Sequence, residues 1–427
     1  MKTRVLVFPC GSEIGLEVFK SANFSSHFQL IGGSSTEDHG QFVYQDYIGD
    51  LPMVESPNFI SELNDLVERR KVDLIIPAHD SVVLKVAQAA TAGKLKCKAV
   101  TSPVETCEIA RSKLKTYETL RNTVPVPKIY SRLHDINSND LPLFLKPDVG
   151  QGTKGTFLAK TKEELRLYSE RDPSLLWLEY LPGKEYTVDC FTDRHGNVRF
   201  GQGRERIRVM NGISVRTART KDGRFGELAS KINQRLRFRG VWFFQVKENT
   251  GGELVLMEVA SRVAGAMGLV RCQGVNLVLL SLFDALGYDV DIFQNGYDLI
   301  MDRALENRYK SDLVYKHVYI DLDDLVVFEN KVNPTAIAFV YQCLGMGIQT
   351  HLLTKHKEDL EATLKRYRLH GIFDEVIWVR EGEKYLHIKE KDAIFIDDSF
   401  AERRAVRDKL GLPVFDSHML ECLMVGL

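Results

Sequence analysis

An acidic cluster near the C-terminus is one of the features of this sequence that could do chemistry. The stretch HVYIDLDDLVVFEN, residues 317–330, ends an apolar run in Asp321, Asp323 and Asp324. Two carboxylates two positions apart at the end of a strand can bind magnesium, while one attacks a phosphorus atom and the other transfers a proton. The same pattern is typical of a solvated acidic turn, so the stretch alone leaves both interpretations open.

A second candidate group lies in FLKPDVGQGTKG, in the middle of the chain. Lys146 ends an apolar strand there, and Gly150, Gly152 and Gly155 follow it. Backbone N–H groups in such a turn can converge on phosphate oxygens, and a neighbouring lysine adds a positive charge. The motif is not a Walker motif, because no GK[ST] opens a helix, and a plain hairpin is the alternative.

Acidic residues in two further hairpins could complete a nucleotide site. In LEYLPGKEYTVD, Glu179 and Glu185 flank a Pro-Gly turn, which suits either ribose hydroxyls or a solvent-facing hairpin. In FFQVKENTGGELVLMEVASR, a turn would place Gln245 near Glu258. Glu258 interrupts an apolar strand, where a magnesium ion would neutralise it. Arg262 lies four residues further on and is available for an acyl phosphate or a substrate carboxylate.

Three kinds of segment must position these residues. The first hundred residues alternate strands such as RVLVFP and VDLIIPAHD with helices, which predicts a parallel α/β sheet covered on both faces. From about residue 110, strands joined by short Gly/Asp turns predict an antiparallel α+β domain. A polar segment around 290–315 precedes a return to strand–helix–strand alternation. The sequence therefore predicts α/β and α+β architecture, with domains at 1–108, 109–300 and 313–427.

Composition limits the class of protein. The 427 residues include 57 Lys and Arg against 58 Asp and Glu, a net charge of -1, which predicts no general attraction to nucleic acid or membranes. Seven scattered cysteines without a CxxC pair predict reduced thiols. The apolar run at the N-terminus is only of strand length, and no stretch reaches the roughly 20 residues of a membrane span. We therefore expect a cytoplasmic protein.

The order and spacing of Lys113, Lys146, the glycine-rich turn and the two hairpins resemble those of ATP-grasp enzymes, over roughly residues 3 to 290. The resemblance is greatest to the carbamoyl-phosphate-synthetase-like branch, whose pre-ATP-grasp domain is similar to the N-terminal α/β segment. It implies an ATP-grasp fold with an antiparallel sheet, in which Lys113 and Lys146 hold the phosphates of ATP. The turn that contains Gly152 and Thr153 would close over them.

The resemblance also implies roles around the nucleoside and the metal. The implied assignments are adenine for Glu179 and Leu181, ribose for Glu185, Mg²⁺ for Gln245 and Glu258, and the acyl phosphate for Arg262 with Arg204 or Arg206. The implied reaction is ADP-forming, in which ATP phosphorylates a small-molecule carboxylate and an amine displaces the phosphate.

One departure from the family concerns the second magnesium site. The family's Glu-x-Asn reads Glu258-Val259-Ala260 here, and alanine offers no oxygen to a metal. Either water or another side chain substitutes, or the domain binds ATP better than it turns it over. A phosphotransferase that makes a stable phosphorylated product and an ATP-binding regulatory protein are therefore the alternatives to a ligase. The sequence leaves a homo-oligomer open.

Three apolar strands near the C-terminus each end in groups that suit phosphate or metal. Their order resembles the haloacid dehalogenase-like (HAD) phosphatases, over roughly residues 315 to 427, and implies a Rossmannoid domain with a magnesium site. The implied roles are nucleophile for Asp321, general acid/base for Asp323, and phosphate binding for Thr354 and Lys384. Asp321 and Asp323 would also bind the metal, and Asp398, with Asp397 beside it, would complete that site.

Two features qualify this second resemblance. Where the family's motif reads DxDx[TV], this chain has Leu325 at the last position, which is apolar and should be tolerated. The segment is also too short to include a large cap. An open site of that kind suits bulky phosphates. His351 and His356 flank Thr354, and polar surface is a better interpretation for them than a metal site.

Overall fold

The computed structural model describes residues 2–150 and 152–425. The chain forms two compact units, Met1–Leu305 and Glu306–Leu427. Over the described ranges, no helix combines the length and the apolar composition that a membrane crossing needs.

The first unit begins with a parallel sheet. Its strands are β1 (Thr3–Phe8), β2 (Phe28–Gly33), β3 (Tyr47–Ile48), β4 (Leu74–Pro77) and β5 (Lys98–Ala99). Their order is β3-β2-β1-β4-β5, and the helices between them are α1 (Glu13–Ala22), α2 (Phe59–Arg70) and α3 (Asp80–Thr91). Alternate residues of β1 enter different cores, Val5 and Val7 on one face and Leu6 on the other. The predicted parallel sheet with both faces covered is confirmed.

Two antiparallel sheets follow in the same unit. The four-stranded sheet has the order β6-β9-β7-β8 and contains β6 (Ile129–Tyr130), β7 (Leu143–Pro147), β8 (Phe157–Ala159) and β9 (Leu175–Glu179). The six-stranded sheet contains β10 (Glu185–Thr192), β11 (Val198–Met210), β12 (Ile213–Arg219), β13 (Gly240–Glu248), β14 (Leu254–Ala260) and β15 (Ile300–Asp302), in the order β14-β13-β10-β11-β12-β15. The predicted change from parallel to antiparallel strands is confirmed.

Helices cover these sheets. They are α4 (Val104–Arg111), α5 (Lys113–Leu120), α6 (Lys162–Arg171), α7 (Arg224–Leu236), α8 (Gly268–Cys272) and α9 (Leu277–Ala285). On α7, Phe225, Ala229, Ile232 and Leu236 recur at helical spacing and are buried against Trp242 and its neighbours in the six-stranded sheet. This apolar stripe fixes the face on which α7 packs.

The edge strand β15 comes from the polar segment that the sequence suggested as a boundary. Its Asp302 pairs in register with Arg216 of β12 and accepts a hydrogen bond of 2.9 Å from Arg208. This charged pair is one of three cross-strand pairs, and Met301, opposite Thr217, packs against the core. A strand of three residues is too short to show an apolar period.

The second unit is built on a parallel sheet with the order β20-β19-β16-β21-β22. These strands are β16 (His317–Ile320), β19 (Gln349–Thr354), β20 (Glu375–Trp378), β21 (Ala393–Ile396) and β22 (Val414–Phe415). The hairpin β17 (Val327–Phe328) and β18 (Lys331–Val332) follows β16, and the helices are α10 (Pro334–Gly345), α11 (Leu360–Arg366) and α12 (Phe400–Leu410). The strand–helix–strand alternation that the sequence predicted for this segment is confirmed.

Candidate active sites

A cavity of about 680 Å³ in the first unit collects many of the residues that the sequence singled out. It is lined by the N-terminal turn of α1, the end of β4 and the strands of the six-stranded sheet. The candidates that line it are Lys113, Gly152, Thr153, Arg204, Arg206, Gln245, Glu258, Ala260 and Arg262. Lys146, Glu179, Leu181 and Glu185 do not line it.

Gln245 and Glu258 are direct cross-strand partners on β13 and β14. Both side chains line the cavity, so an amide oxygen and a carboxylate oxygen face the same space. Oxygen donors of these two kinds are those that Mg²⁺ accepts, so the pair fits one magnesium ion. Ala260, two residues further along β14, is buried against apolar neighbours and adds only a methyl group to the lining.

Lys113, which lines the cavity, is half-buried, and Lys146 at the end of β7 is buried. The Lys113 ammonium donates 3.1 Å to the carbonyl of Asp148, and burial lowers its pKa. Lys146 donates 3.1 Å to the carbonyl of Met257. Burial lowers the pKa of Lys146 to about 8, although the nearby Glu258 carboxylate acts in the opposite direction. Lys146 is therefore a buried amine poised to lose its proton near neutral pH.

Asp148 is a site residue that the sequence reading missed. Its carboxylate accepts hydrogen bonds of 2.8 and 2.9 Å from the Ser112 hydroxyl and one of 2.8 Å from the backbone N–H of Leu114. These bonds tie the start of α5 to the strand end that carries Lys146. The sequence carries no local signal for this contact, because 36 residues separate Asp148 from Ser112.

The glycine-rich turn after β7 contains backbone conformations that favour glycine. Gly152, Thr153 and Gly155 have φ values of +64°, +56° and +70°; residue 151, in the same turn, lies outside the described residues. The tip of the β11–β12 hairpin approaches this turn so closely that a Cβ on Gly212 would lie 2.6 Å from the carbonyl carbon of Gly152. The hairpin tip and the turn are thus packed backbone to backbone.

Glu185, the first residue of β10, is ion-paired with Arg206 of the β11–β12 hairpin. The Arg206 Nε lies 2.6 Å from its carboxylate, and the other end of that guanidinium donates 2.8 Å to the carbonyl of Gly212. Glu179 is the last residue of β9, and Leu181 is buried just beyond it.

Besides Arg206, three further arginines of the cavity are paired with carboxylates. Arg262 donates hydrogen bonds of 2.7 and 2.8 Å to Asp80, at the start of α3. Arg204 and Asp189 are both buried, and the Arg204 Nε lies 2.7 Å from the Asp189 carboxylate. Burial raises the pKa of Asp189, although the Arg204 guanidinium opposes the shift. Arg303 also lines the cavity and donates 3.1 Å to Glu13. Arg303 was missed because it follows β15 in the polar segment.

Comparisons with known proteins agree with this architecture. A family model described as ATP-grasp in the biosynthetic pathway with Ter operon matches residues 171–301. A biotin carboxylase from Campylobacter jejuni, in complex with an ATP analogue, is 15% identical with a TM-score of 0.59, over 70% of this chain and 75% of that one. The chain contains an ATP-grasp fold.

Two further solved structures show a similar likeness. An L-amino acid ligase from Bacillus licheniformis is 17% identical with a TM-score of 0.55, over 67% of this chain and 74% of that one. An N5-carboxyaminoimidazole synthetase from Staphylococcus aureus, complexed with ADP, is 16% identical with a TM-score of 0.57, over 71% and 82%. A comparison with curated proteins gives no match.

The second unit has a separate cluster of charged groups beyond the ATP-grasp fold. Asp321 follows the carboxyl end of β16 and lies 2.8 Å from the ammonium of Lys384, which also donates 2.7 Å to Asp397. Carboxylate oxygens of Asp321, Asp397 and Asp398 lie within 4.8 Å of one another. Three convergent carboxylates with one lysine fit a divalent cation with oxygen ligands.

Burial and the neighbouring charges shift the pKa values of the carboxyl groups in this cluster. Burial raises the pKa of Asp321 to about 7, and Asp397 adds to the rise while Lys384 opposes it. Burial also raises the pKa of Asp397. Two buried carboxylates beside one ammonium leave an uncompensated negative charge, which a cation would neutralise.

Asp323 does not belong to this carboxylate group. Its side chain, about half exposed, accepts 2.9 Å from the ring of His356, whose other nitrogen lies 2.8 Å from the Thr363 hydroxyl. Thr354 is fully buried and accepts a hydrogen bond from the backbone N–H of His356. His356 is only 10% exposed.

The expectation of polar surface for the two histidines is wrong, because His351 is also buried, at 5% exposed. Both rings have neighbours from distant parts of the chain, which spacing along the sequence does not reveal. Leu325, the departure from the family motif, is fully buried in the same core as Ile320 and Phe339. The surrounding core requires only that the side chain at position 325 be apolar.

Proposed function

We propose that the first unit is an ATP-dependent ligase that joins a small-molecule carboxylate to an amine through an acyl phosphate and releases ADP. The observation that carries the proposal is the convergence of Lys113, the glycine-rich turn, the Gln245–Glu258 pair and Arg262 on one cavity. The ATP-grasp fold around this cavity supports it, and the ADP-bound synthetase with the same fold gives the nucleotide a precedent.

Each residue has a defined task in this proposal. Lys113 and Lys146 offset the phosphate charges, and the backbone of Gly152 and Thr153 covers the phosphate oxygens. Magnesium held by Gln245 and Glu258 would supply further charge neutralisation. Glu179 and Leu181 contact adenine and Glu185 binds ribose, while Arg262 orients the acyl phosphate with help from Arg204 or Arg206.

The carboxylate oxygen attacks the γ-phosphorus, and the bond from that phosphorus to the bridging oxygen of ADP breaks. The amine then attacks the acyl carbon, loses a proton and expels inorganic phosphate. An L-amino acid ligase with this fold supports a reaction of this class.

The proposed domains remain 1–108, 109–300 and 313–427.

The test is ADP release by the full-length protein with Mg²⁺ and a panel of amino acids and small carboxylates, with hydroxylamine as a trapping amine. ADP together with a hydroxamate or a new amide supports the ligase. ADP with a stable phosphorylated product identifies a phosphotransferase instead, and ATP binding without ADP under every condition identifies a regulatory protein. Glu258→Gln should abolish the signal, whereas Glu227→Gln, at an exposed glutamate on α7, should not.

We further propose that the second unit is a magnesium-dependent phosphatase of the HAD-like type. The specific observation in its favour is the convergence of Asp321, Lys384, Asp397 and Asp398 at the carboxyl ends of β16 and β21. Asp321 attacks the phosphorus and Asp323 protonates the leaving oxygen; water then releases phosphate from the aspartyl phosphate. Thr354 and Lys384 bind the phosphoryl oxygens.

Hydrolysis of p-nitrophenyl phosphate by the full-length protein tests this second activity. Asp321→Asn should abolish Mg²⁺-dependent release of p-nitrophenol, and Asp408→Asn, at an exposed position on α12, should preserve it. Equal rates for the wild type and Asp321→Asn would remove Asp321 as the nucleophile.

A further inference from the structure

We propose that His317, His351 and Glu390 form a binding site for a transition-metal ion of the zinc class, separate from both candidate active sites. One ring nitrogen each of His317 and His351 and a Glu390 carboxylate oxygen lie within 4.8 Å of one another. Two imidazole nitrogens and one carboxylate are a ligand set that zinc uses in proteins, with a fourth position for water.

The spacing of the two imidazole nitrogens suits a shared metal. His317 Nδ1 and His351 Nε2 are 3.1 Å apart. Two nitrogens bound tetrahedrally to one zinc ion at about 2.0–2.1 Å are themselves about 3.3 Å apart. The separation of the two nitrogens is therefore within about 0.2 Å of the value that a shared zinc ion requires.

His351 has a carboxylate within hydrogen-bonding distance of its outer nitrogen, and His317 has one further away. The His351 Nδ1 lies 2.9 Å from a Glu375 oxygen, and the His317 Nε2 lies 4.0 Å from Asp392. A carboxylate at the outer nitrogen holds the proton there and leaves the inner nitrogen as a lone-pair donor, as in many zinc sites.

The surrounding residues fix the third ligand. The Tyr319 hydroxyl donates to Glu390, and the Tyr319 ring stacks on His351 with centroids 4.4 Å apart. His351 is buried while the His317 side chain is 18% exposed. The site is thus held on the buried side and open to solvent on the other, which gives an ion a path of entry.

The place in the sheet separates this site from the Asp321 cluster. His317 is the first residue of β16, and Asp321 follows the last residue of the same strand. The cluster at Asp321 has oxygen donors that suit magnesium, whereas two imidazoles favour zinc, cobalt or nickel. A metal at His317 would join β16, β19 and the segment before β21, and so would stabilise the sheet that carries Asp321.

The experiment uses the untagged full-length protein, freed of metal and kept in excess Mg²⁺. Zn²⁺ binding is measured by equilibrium dialysis, and Co²⁺ binding by the intense visible absorption that tetrahedral cobalt gives. The expected result is one Zn²⁺ per chain, with affinity reduced roughly 10–100-fold in Glu375→Gln and lost in His317→Gln and Glu390→Gln. Zn²⁺ should also raise the Tm of the wild type but not that of His317→Gln.

Two matched controls make the outcome specific. His418→Gln, at a fully solvated histidine of the same unit, and Asp398→Asn, in the other carboxylate cluster, should bind Zn²⁺ as the wild type does. Absence of stoichiometric binding in the wild type overturns the proposal. Equal binding by folded His317→Gln and Glu390→Gln does so as well, and loss of binding in Asp398→Asn alone would move the ion to the Asp321 cluster.

Discussion

Arg262 and Asp80 face each other through two hydrogen bonds of 2.7 and 2.8 Å, although 182 residues separate them in the chain. Burial alone would raise the pKa of Asp80, but the guanidinium outweighs it and the net shift is downward. The contact joins the start of α3 to the segment after β14. It therefore aligns the parallel sheet with the six-stranded sheet at the cavity that they share.

Asp80→Asn should destabilise the first unit by about 3 kcal/mol, because Arg262 then remains buried without a counter-ion. Since the pKa of Asp80 is lowered by folding, its contribution is present above the unfolded-state pKa of about 4 and is lost as the pH falls below that value. Urea unfolding at pH 7 and at pH 3 measures both effects. Asp50→Asn, at an exposed position, is the control, and an equal loss of stability in both variants would contradict the assignment.

Lys146 should impose an alkaline limit on ATP use. With a pKa of about 8 in the free protein, it loses its charge above that pH, and kcat/KM for ATP should fall about tenfold for each further pH unit. Lys146→Arg keeps the positive charge to high pH. It should therefore remove this fall in kcat/KM at alkaline pH while lowering the maximal rate. Initial rates of ADP release between pH 6.5 and 9.5 give both profiles. An identical alkaline limb in the two proteins would assign the ionisation to another group.

Ala260→Asn should lower the Mg²⁺ concentration needed for half-maximal ADP release. Ala260 lies two residues beyond Glu258 on the strand that lines the cavity, and an asparagine there adds an oxygen donor. We expect a change of roughly tenfold, measured by titrating Mg²⁺ at saturating ATP. Ala260→Leu is the size-matched control without a donor. An unchanged magnesium requirement would show that position 260 does not face the metal.

His356→Ala should lower kcat for p-nitrophenyl phosphate about tenfold with little change in KM. His356 holds the Asp323 carboxylate at 2.9 Å, so it acts as a positioning residue for the proposed general acid. His356→Gln, which retains a hydrogen-bond donor, should recover part of the loss. A matched fall in activity and in Tm for both variants would instead indicate a purely structural role.

Asp321→Asn should stabilise the metal-free protein on the order of 1 kcal/mol at pH 7.5. The folded-state pKa of about 7 lies above the value of about 4 in an unfolded chain, so stability declines as the pH rises from about 4 to 7. The amide removes that penalty. Mg²⁺ should raise the Tm of the wild type and leave Asp321→Asn nearly unchanged; a Tm below that of the wild type in EDTA would contradict the prediction.

The sequence predicted those features that depend on local pattern. The strand before Lys146, the β13–β14 hairpin that pairs Gln245 with Glu258, and the strand that ends at Asp321 each follow from a short apolar run and its turn. Periodicity and turn chemistry act over a few residues, and the motifs were legible for that reason.

Features that depend on distant contacts were not legible. Arg303 reaches Glu13 across 290 residues and follows an edge strand of only three residues, which is too short to show a period in the sequence. His356 reads as an ordinary surface residue until β16 and β19 pair and bring Asp323 beside it. A single sequence carries no signal for such contacts, since both partners are common polar residues whose separation varies freely.

The close approach of Gly212 to Gly152 connects two parts of the proposed ATP site. Arg206 contacts Glu185 with one edge and the Gly212 carbonyl with the other, and Gly212 in turn packs on the glycine-rich turn without a side chain between them. A ligand that draws Glu185 away from Arg206 also loosens the hairpin tip above the turn. Nucleoside and phosphate affinities should therefore be non-additive, so that adenosine and triphosphate fragments added together bind with a cooperativity that neither shows alone.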